Sequence, residues 1–194
     1  NYAEALPYLQ KSAQRTGVDR SDRYILGYAY YMTGDHLKAL AELNIVANAD
    51  DSLAQLASYH MADCYLKLNE KNYARNAFKK AYEIGKPGEG ETKGDPKVTE
   101  DALFQYAKLA YELSFDPYHE AITALRGYLR AYPDTPRRDE AYEFLLNVYL
   151  KTRNFHWNVE GPDFSELHKL FETQYEQLDQ IMDDVAERVR IVGG

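Results

Sequence analysis

Pairs of helix-length segments recur along this sequence with the same internal pattern, and that recurrence limits the chain to an all-α, repetitive architecture. Apolar residues return at helical spacing almost throughout, no long alternating strand pattern appears, and Gly and Pro cut the chain into helix-sized pieces. The pattern predicts helices at 2–14, 21–33, 35–48, 53–68, 71–84, 98–114, 118–131, 137–160 and 164–192. In the first full pair, Leu26, Gly27 and Tyr30 precede the turn Gly34-Asp35, and Ala39, Leu43 and Val46 follow it. In the second, Met61, Ala62 and Tyr65 precede Asn69-Glu70, and Ala74, Phe78 and Ala81 follow. A third pair carries Tyr106, Ala107 and Ala110, then Ala121, Leu125, Tyr128 and Pro133, and a fourth begins with Tyr142, Leu145 and Tyr149. The opening helix, with Ala5, Leu9 and Ser12, reads as the second half of a repeat. Antiparallel helices approach closely only where one side is Gly or Ala, which places close crossings at Gly27, Ala39, Ala62, Ala74 and Ala121. One pair cannot bury its apolar face alone, so such pairs stack. The breaker-rich stretch from Gly85 to Pro96 is the one hydrophilic insertion, read as a mobile loop.

Charge and cysteine content narrow the function classes. The net charge is −8, which offers no basic footprint for nucleic acid. No apolar run reaches the ~18–20 residues that a membrane span needs. The single cysteine permits no internal disulfide. The sequence opens on Asn1 without a signal-peptide pattern, which reads as a processed, excised or constructed piece. Nothing in the paired segments supplies a nucleophile–base pair, a phosphate loop or a Cys/His zinc cluster, so catalysis is not expected of them. His36, His60 and His119 fall at repeat positions and are assigned to packing or surface. Eighteen tyrosines stand against one tryptophan. Tyrosine is a large, amphipathic contact residue, suited both to helix packing and to lining a binding surface.

The paired pattern over about 1–155 resembles the tetratricopeptide repeat, with large residues early in helix A, a small residue at the crossing and a small–large–small series on helix B. That resemblance implies a protein-binding scaffold that takes a peptide or partner on the concave face lined by helix A, with no cofactor required. The outward A-helix positions are then Tyr24, Tyr28, Tyr31, Tyr59, Asp63, Leu66, Phe104, Lys108 and Tyr111, an aromatic groove with few charges. The basic clamp by which chaperone-binding members hold two carboxylates is not evident. The Tyr-rich style, including Tyr128-Leu129-Arg130-Ala131-Tyr132-Pro133-Asp134-Thr135-Pro136, is similar to bacterial cell-envelope repeat proteins.

The repeat register fails after Phe155. The run Asn154-Phe155-His156-Trp157-Asn158-Val159, followed by Leu167-His168, Phe171, Tyr175, Leu178-Asp179, Asp183 and Glu187, resembles the first half of Dps proteins, the DNA-protecting mini-ferritins. Imidazole and carboxylate ligands suit iron(II). The resemblance implies a metal site of His156 and His168 from one subunit with Asp183 and Glu187 from a two-fold partner, hence a homo-oligomer, and iron oxidation if a complete bundle exists in the parent protein. The sequence covers only the first two helices of that bundle, so the apolar faces of 140–160 and 164–192 would lack their usual cover. From 151 to 194 five Lys/Arg stand against nine Asp/Glu, a net of −4, so direct nucleic-acid binding is not expected. These readings divide the chain into 1–150, a repeat domain, and 151–194, a Dps-like segment sharing helix 137–160. A helix shared between two domains is how a rigid fusion is built by design, whereas natural fusions more often use a flexible linker, so the chain reads as an engineered, excised or stitched chimera. The bacterial compartment stays open between cell envelope and cytoplasm.

Overall fold

The computed structural model describes residues 1–15, 17–86, 94–113 and 117–191, with backbone alone for 117–118, 184–186 and 188–191. Nine α-helices run through them: α1 (Tyr2–Ala13), α2 (Arg20–Met32), α3 (His36–Val46), α4 (Ser52–Lys67), α5 (Lys71–Gly85), α6 (Pro96–Leu113), α7 (Pro117–Ala131), α8 (Arg138–Asn158) and α9 (Phe164–Ile191). Every expected helix is present, with ends shifted by at most two residues. The stretch 87–93 of the expected loop lies outside the described residues. The helices form two compact units, Asn1–Leu113 and Ser114–Gly194. The join read at 150/151 falls in the interior of α8.

In the first unit each helix packs on the next, and α2 also meets α4, and α4 meets α6. This is the stacking of A-helices on A-helices that a repeat solenoid requires. Two turns are built alike. Gly34 and Asn69 take left-handed backbone (φ 84° and 61°) just past the ends of α2 and α4. Behind them the amides of Asp35 and Glu70 reach back to the carbonyls of Tyr30 and Tyr65 at 3.0 and 2.8 Å. That closes each A-helix with a Schellman motif and turns the chain antiparallel. Asp35 and Asp51 cap α3 and α4 through the amides of Lys38 and Ala54. The Arg20 guanidinium donates to both oxygens of Asp51 and to the Val46 carbonyl, tying three helix ends together.

The crossings fall where the small residues are. Ala39, Ala62, Ala74 and Ala121 are each fully buried. A methyl at Gly27 would lie 2.8 Å from Leu43 Cγ, so only glycine lets α2 sit that close to α3. Leu26, Tyr30, Leu43, Val46, Met61 and Cys64 fill the space around these contacts. Burial pushes the Cys64 thiol up to about 12, so it serves as a small apolar residue.

A polar knot joins α4 to the start of α6. Gln55 is fully buried, and its amide nitrogen donates to Thr99 Oγ1 at 2.8 Å while its oxygen accepts from the Asp95 amide at 2.7 Å. The Thr99 hydroxyl donates in turn to the Asp95 carbonyl at 2.7 Å. One side chain of α4 thereby holds the start of α6. In the second unit α7 packs on α8 and α8 on α9. Tyr128 is fully buried, and its hydroxyl shares a 2.6 Å hydrogen bond with the Thr135 hydroxyl, which fastens the Pro133–Pro136 segment to α7.

Candidate functional sites

The A-helix face of the first unit carries an aromatic cluster. Tyr24, Tyr28 and Tyr31 stand at i, i+4 and i+7 of α2 and so share a face. Opposite them α4 presents Tyr59, His60 and Asp63. The His60 ring is the centre, with centroids 6.1, 4.9, 5.2 and 5.7 Å from those of Tyr24, Tyr28, Tyr31 and Tyr59. Tyr24 stacks on Tyr28, and Tyr2 of α1 meets Tyr28 edge-on. Tyr31 donates a 3.3 Å hydrogen bond to Asp63, and the Tyr59 hydroxyl donates to Asp101 of α6. The four tyrosines and Asp63 are half-buried, as are Lys108 and Tyr111.

Phe104, expected in this groove, is 3% exposed and offers no surface to a partner. The reason is α6 itself, where Thr99, Ala102, Leu103, Phe104, Tyr106, Ala107, Leu109 and Ala110 are all buried. A helix covered around most of its circumference has no outward aromatic stripe.

The sequence left His60 open between packing and surface, and its ring packs among the tyrosines of α2 and α4. Its Nδ1 is buried without a hydrogen-bond partner, and burial pushes the imidazole down to about 4. An unfolded histidine titrates near 6.5, so between those values the unfolded chain takes a proton that the folded chain refuses. Stability should therefore fall as pH drops from about 6.5 to 4, by about 2 kcal/mol from this group. Asp63 opposes it: burial and the nearby Asp101 charge raise its carboxyl, which favours the folded state as pH falls. Urea unfolding of the parent and of His60→Phe at pH 7 and pH 4.5 separates the two. The variant should lose less stability than the parent over that interval, and equal losses would refute the assignment.

The second unit brings metal-ligating side chains together. α8 ends at Asn158, Gly161 turns the chain with φ 104°, and α9 begins at Phe164. His156, in the last turn of α8, meets His168, in the second turn of α9, with ring centroids 3.7 Å apart. One turn further along α9, Glu172 completes a group of three whose ligand atoms all lie within 4.8 Å of one another. Both ring nitrogens of His156 are buried without a hydrogen-bond partner. Two imidazoles and a carboxylate form a borderline donor set that fits iron(II) and neighbouring divalent ions. Beside them the Arg153 guanidinium lies 4.6 Å from the Tyr175 ring centre and donates to the Tyr149 hydroxyl at 2.5 Å.

Sequence reasoning missed Glu172, although its signal was legible: His168 and Glu172 are four apart and share one helical face. Asp183 and Glu187 do not join the group. Both are exposed, and Asp183 lies 15 positions beyond His168, about 22 Å along α9. Around the hairpin, Leu146, Leu150, Phe155, Trp157, Phe164 and Leu170 are between 40% and 66% exposed, leaving apolar faces of α8 and α9 uncovered.

The first unit is thus a stack of helix pairs, and the second contains a helical hairpin that gathers imidazole and carboxylate ligands. Comparison with known proteins finds similarities in both parts. Residues 1–81 match the family of subunit 3 of the anaphase-promoting complex (cyclosome), and residues 101–135 match the tetratricopeptide repeat. Residues 139–194 match the ferritin-like domain. DNA protection during starvation proteins resemble the C-terminal part. That of Brevibacillus brevis is 49% identical over 47 residues, 24% of this chain and 32% of that protein. That of Helicobacter pylori is 46% identical over 46 residues, again 24% and 32%. An uncharacterized low temperature-induced protein of Nostoc is 49% identical over 57 residues, 29% of this chain and 31% of that protein. The chain spans about a third of the length of these relatives. Its N-terminal part is tetratricopeptide-like, and its C-terminal part is a ferritin-like, Dps-like helical segment.

Proposed function

We propose that this chain is a protein-interaction scaffold whose repeats hold an extended or helical segment of a partner. The observation that carries this reading is the half-exposed tyrosine cluster of α2 and α4, placed on the face that stacked A-helices line. Tyr24, Tyr28, Tyr31 and Tyr59 are the anchors, with Asp63, Lys108 and Tyr111 at the margins. Tyrosine loses little conformational entropy on binding and presents both a ring face and a hydroxyl. The functional division follows the sequence, with 1–150 for recognition and 151–194 as the attachment or oligomerising segment. Partners are proteins or peptides. The acidic segment 151–194 gives no electrostatic basis for holding nucleic acid directly, and among the described residues no helix is long and apolar enough to cross a membrane.

Tyr28→Ala tests the groove. Anchors of this kind contribute about 2 kcal/mol each, so affinity for a captured partner should fall roughly 30-fold. Tyr28 also packs on Tyr2, Tyr24, Tyr31 and His60, so affinity is compared at a temperature where circular dichroism shows the variant folded. Unchanged affinity would remove the groove from consideration.

A second reading is favoured by the unpartnered nitrogens of His156. The hairpin is proposed to bind iron(II) through His156, His168 and Glu172, with Asp183 and Glu187 supplied by a two-fold partner over the uncovered faces of α8 and α9. Two of the relatives named above are DNA protection during starvation proteins. For this chain, iron binding and oxidation are part of the proposal.

A further inference from the structure

Four carboxylates of the first unit pair with cations. Asp51 pairs with Arg20 at 2.6 Å, Glu42 with Arg23 at 3.0 Å, Asp35 with Lys38 at 2.6 Å and Glu112 with Lys71 at 2.8 Å. Each of these lies near the surface, where an ion pair contributes little to stability. Asp63 is half-buried among the tyrosines of α2 and α4, where a counter-charge matters more. Among the described residues no cation lies within ion-pair distance of it, and its hydrogen-bond partner is the Tyr31 hydroxyl at a long 3.3 Å. Lys67, one turn along α4, acts on it only at longer range, while the Asp101 charge opposes its ionisation. Enclosed charges are ordinarily paired, because desolvation without a counter-charge is costly. An enclosed carboxylate held in this condition is a poor structural element and a ready ligand for a cation.

The surroundings specify which kind of cation. Tyr24, Tyr28, Tyr31 and Tyr59 supply aromatic faces, which attract ammonium and guanidinium groups, and the aliphatic stem of a long basic side chain packs on the same rings. His60 at the centre is neutral at ordinary pH, so it does not repel a positive guest. The chain as a whole carries −8, which raises the encounter rate with a basic segment. We propose that the groove's partner segment is basic and delivers a lysine or arginine side chain to Asp63 beside Tyr31. This rests on the groove reading above and adds the chemistry of the guest.

The test uses the full chain and labelled short peptides of one apolar sequence that differ only at a central Lys, Arg, Gln or Glu, read by fluorescence anisotropy. The Lys and Arg peptides should bind about tenfold tighter than the Gln peptide, and the Glu peptide weakest. Asp63→Asn should abolish the Lys-over-Gln preference without lowering the melting temperature, since it removes an unpaired enclosed charge. Equal binding of the Lys and Gln peptides, with Tyr28→Ala weakening both, would overturn the basic guest and leave the groove standing. Binding of all four peptides that ignores Tyr28→Ala would overturn the groove and the inference together. A marked loss of stability in Asp63→Asn would make Asp63 a structural residue and also overturn the inference.

Discussion

A Gly85→Ala chain is expected to unfold about 3–5 kcal/mol more easily than its parent. Gly85 ends α5 directly beneath the knot formed by Gln55, Thr99 and Asp95. A methyl built there would lie 2.1 Å from both Gln55 Nε2 and Thr99 Oγ1, well inside contact distance. Relief requires the two side chains to part, which breaks a 2.8 Å hydrogen bond between fully buried groups. Overpacking of this kind costs about 1–3 kcal/mol, and each buried polar group left unsatisfied costs about 1–3 kcal/mol more. Gly94 should behave similarly, because its added methyl would lie 2.3 Å from Gln55 Oε1. Gly34 is the contrasting case. Nothing lies within 4 Å of the site, but φ is +84°, so alanine there should cost about 1–2 kcal/mol of backbone strain alone. Urea unfolding followed by circular dichroism measures all three. Gln55→Ala combined with Gly85→Ala should cost less than the two losses added, because the clash disappears with the amide. Additive losses would mean that the knot is not the obstacle.

Replacing His168 by alanine is expected to weaken divalent-metal binding by ~100-fold or more, about 3 kcal/mol. Anaerobic iron(II) titration measures this directly, and cobalt(II) absorption gives a spectroscopic check of imidazole ligation. His156→Ala should match it and Glu172→Gln should lose somewhat less, because an amide oxygen keeps a weak donor in place. Asp183→Asn separates the two forms of the site. If one chain binds through His156, His168 and Glu172 alone, Asp183→Asn should be silent. If two chains share the site, it should weaken binding only where the chain is dimeric by mass. Metal affinity unchanged by His168→Ala would sink both forms.

Much of this fold can be read from local pattern. The helical period and the Gly and Pro punctuation locate nine helices to within two residues, because both act over a single turn. The small residues at 27, 39, 62, 74 and 121 mark crossings for the same local reason: only Gly or Ala permits the approach, whatever the partner. The Dps-like string also identified His156 and His168, which a short turn brings together by its length alone.

Other features depend on what stands opposite a given face, and a sequence period carries only the angle of a residue on its own helix. Phe104 has the angle of an outward A-helix residue, yet α6 is covered there. Glu172 shares a helical face with His168, but that it also meets His156 depends on how α8 folds back against α9. Gln55 reads as an ordinary polar helical residue until Asp95 and Thr99, forty or more positions away, close on it. Asp63 was placed on the outward A-helix face from sequence, but its half-buried setting beside Tyr31 exists only once α2 and α4 are packed. The sequence by itself determined the helices, their pairing and the close crossings, because those follow from steric rules within a turn or between adjacent helices. Tertiary structure alone decided which polar groups are enclosed and which partners they meet, because burial and electrostatics depend on distance between segments that are remote in the chain.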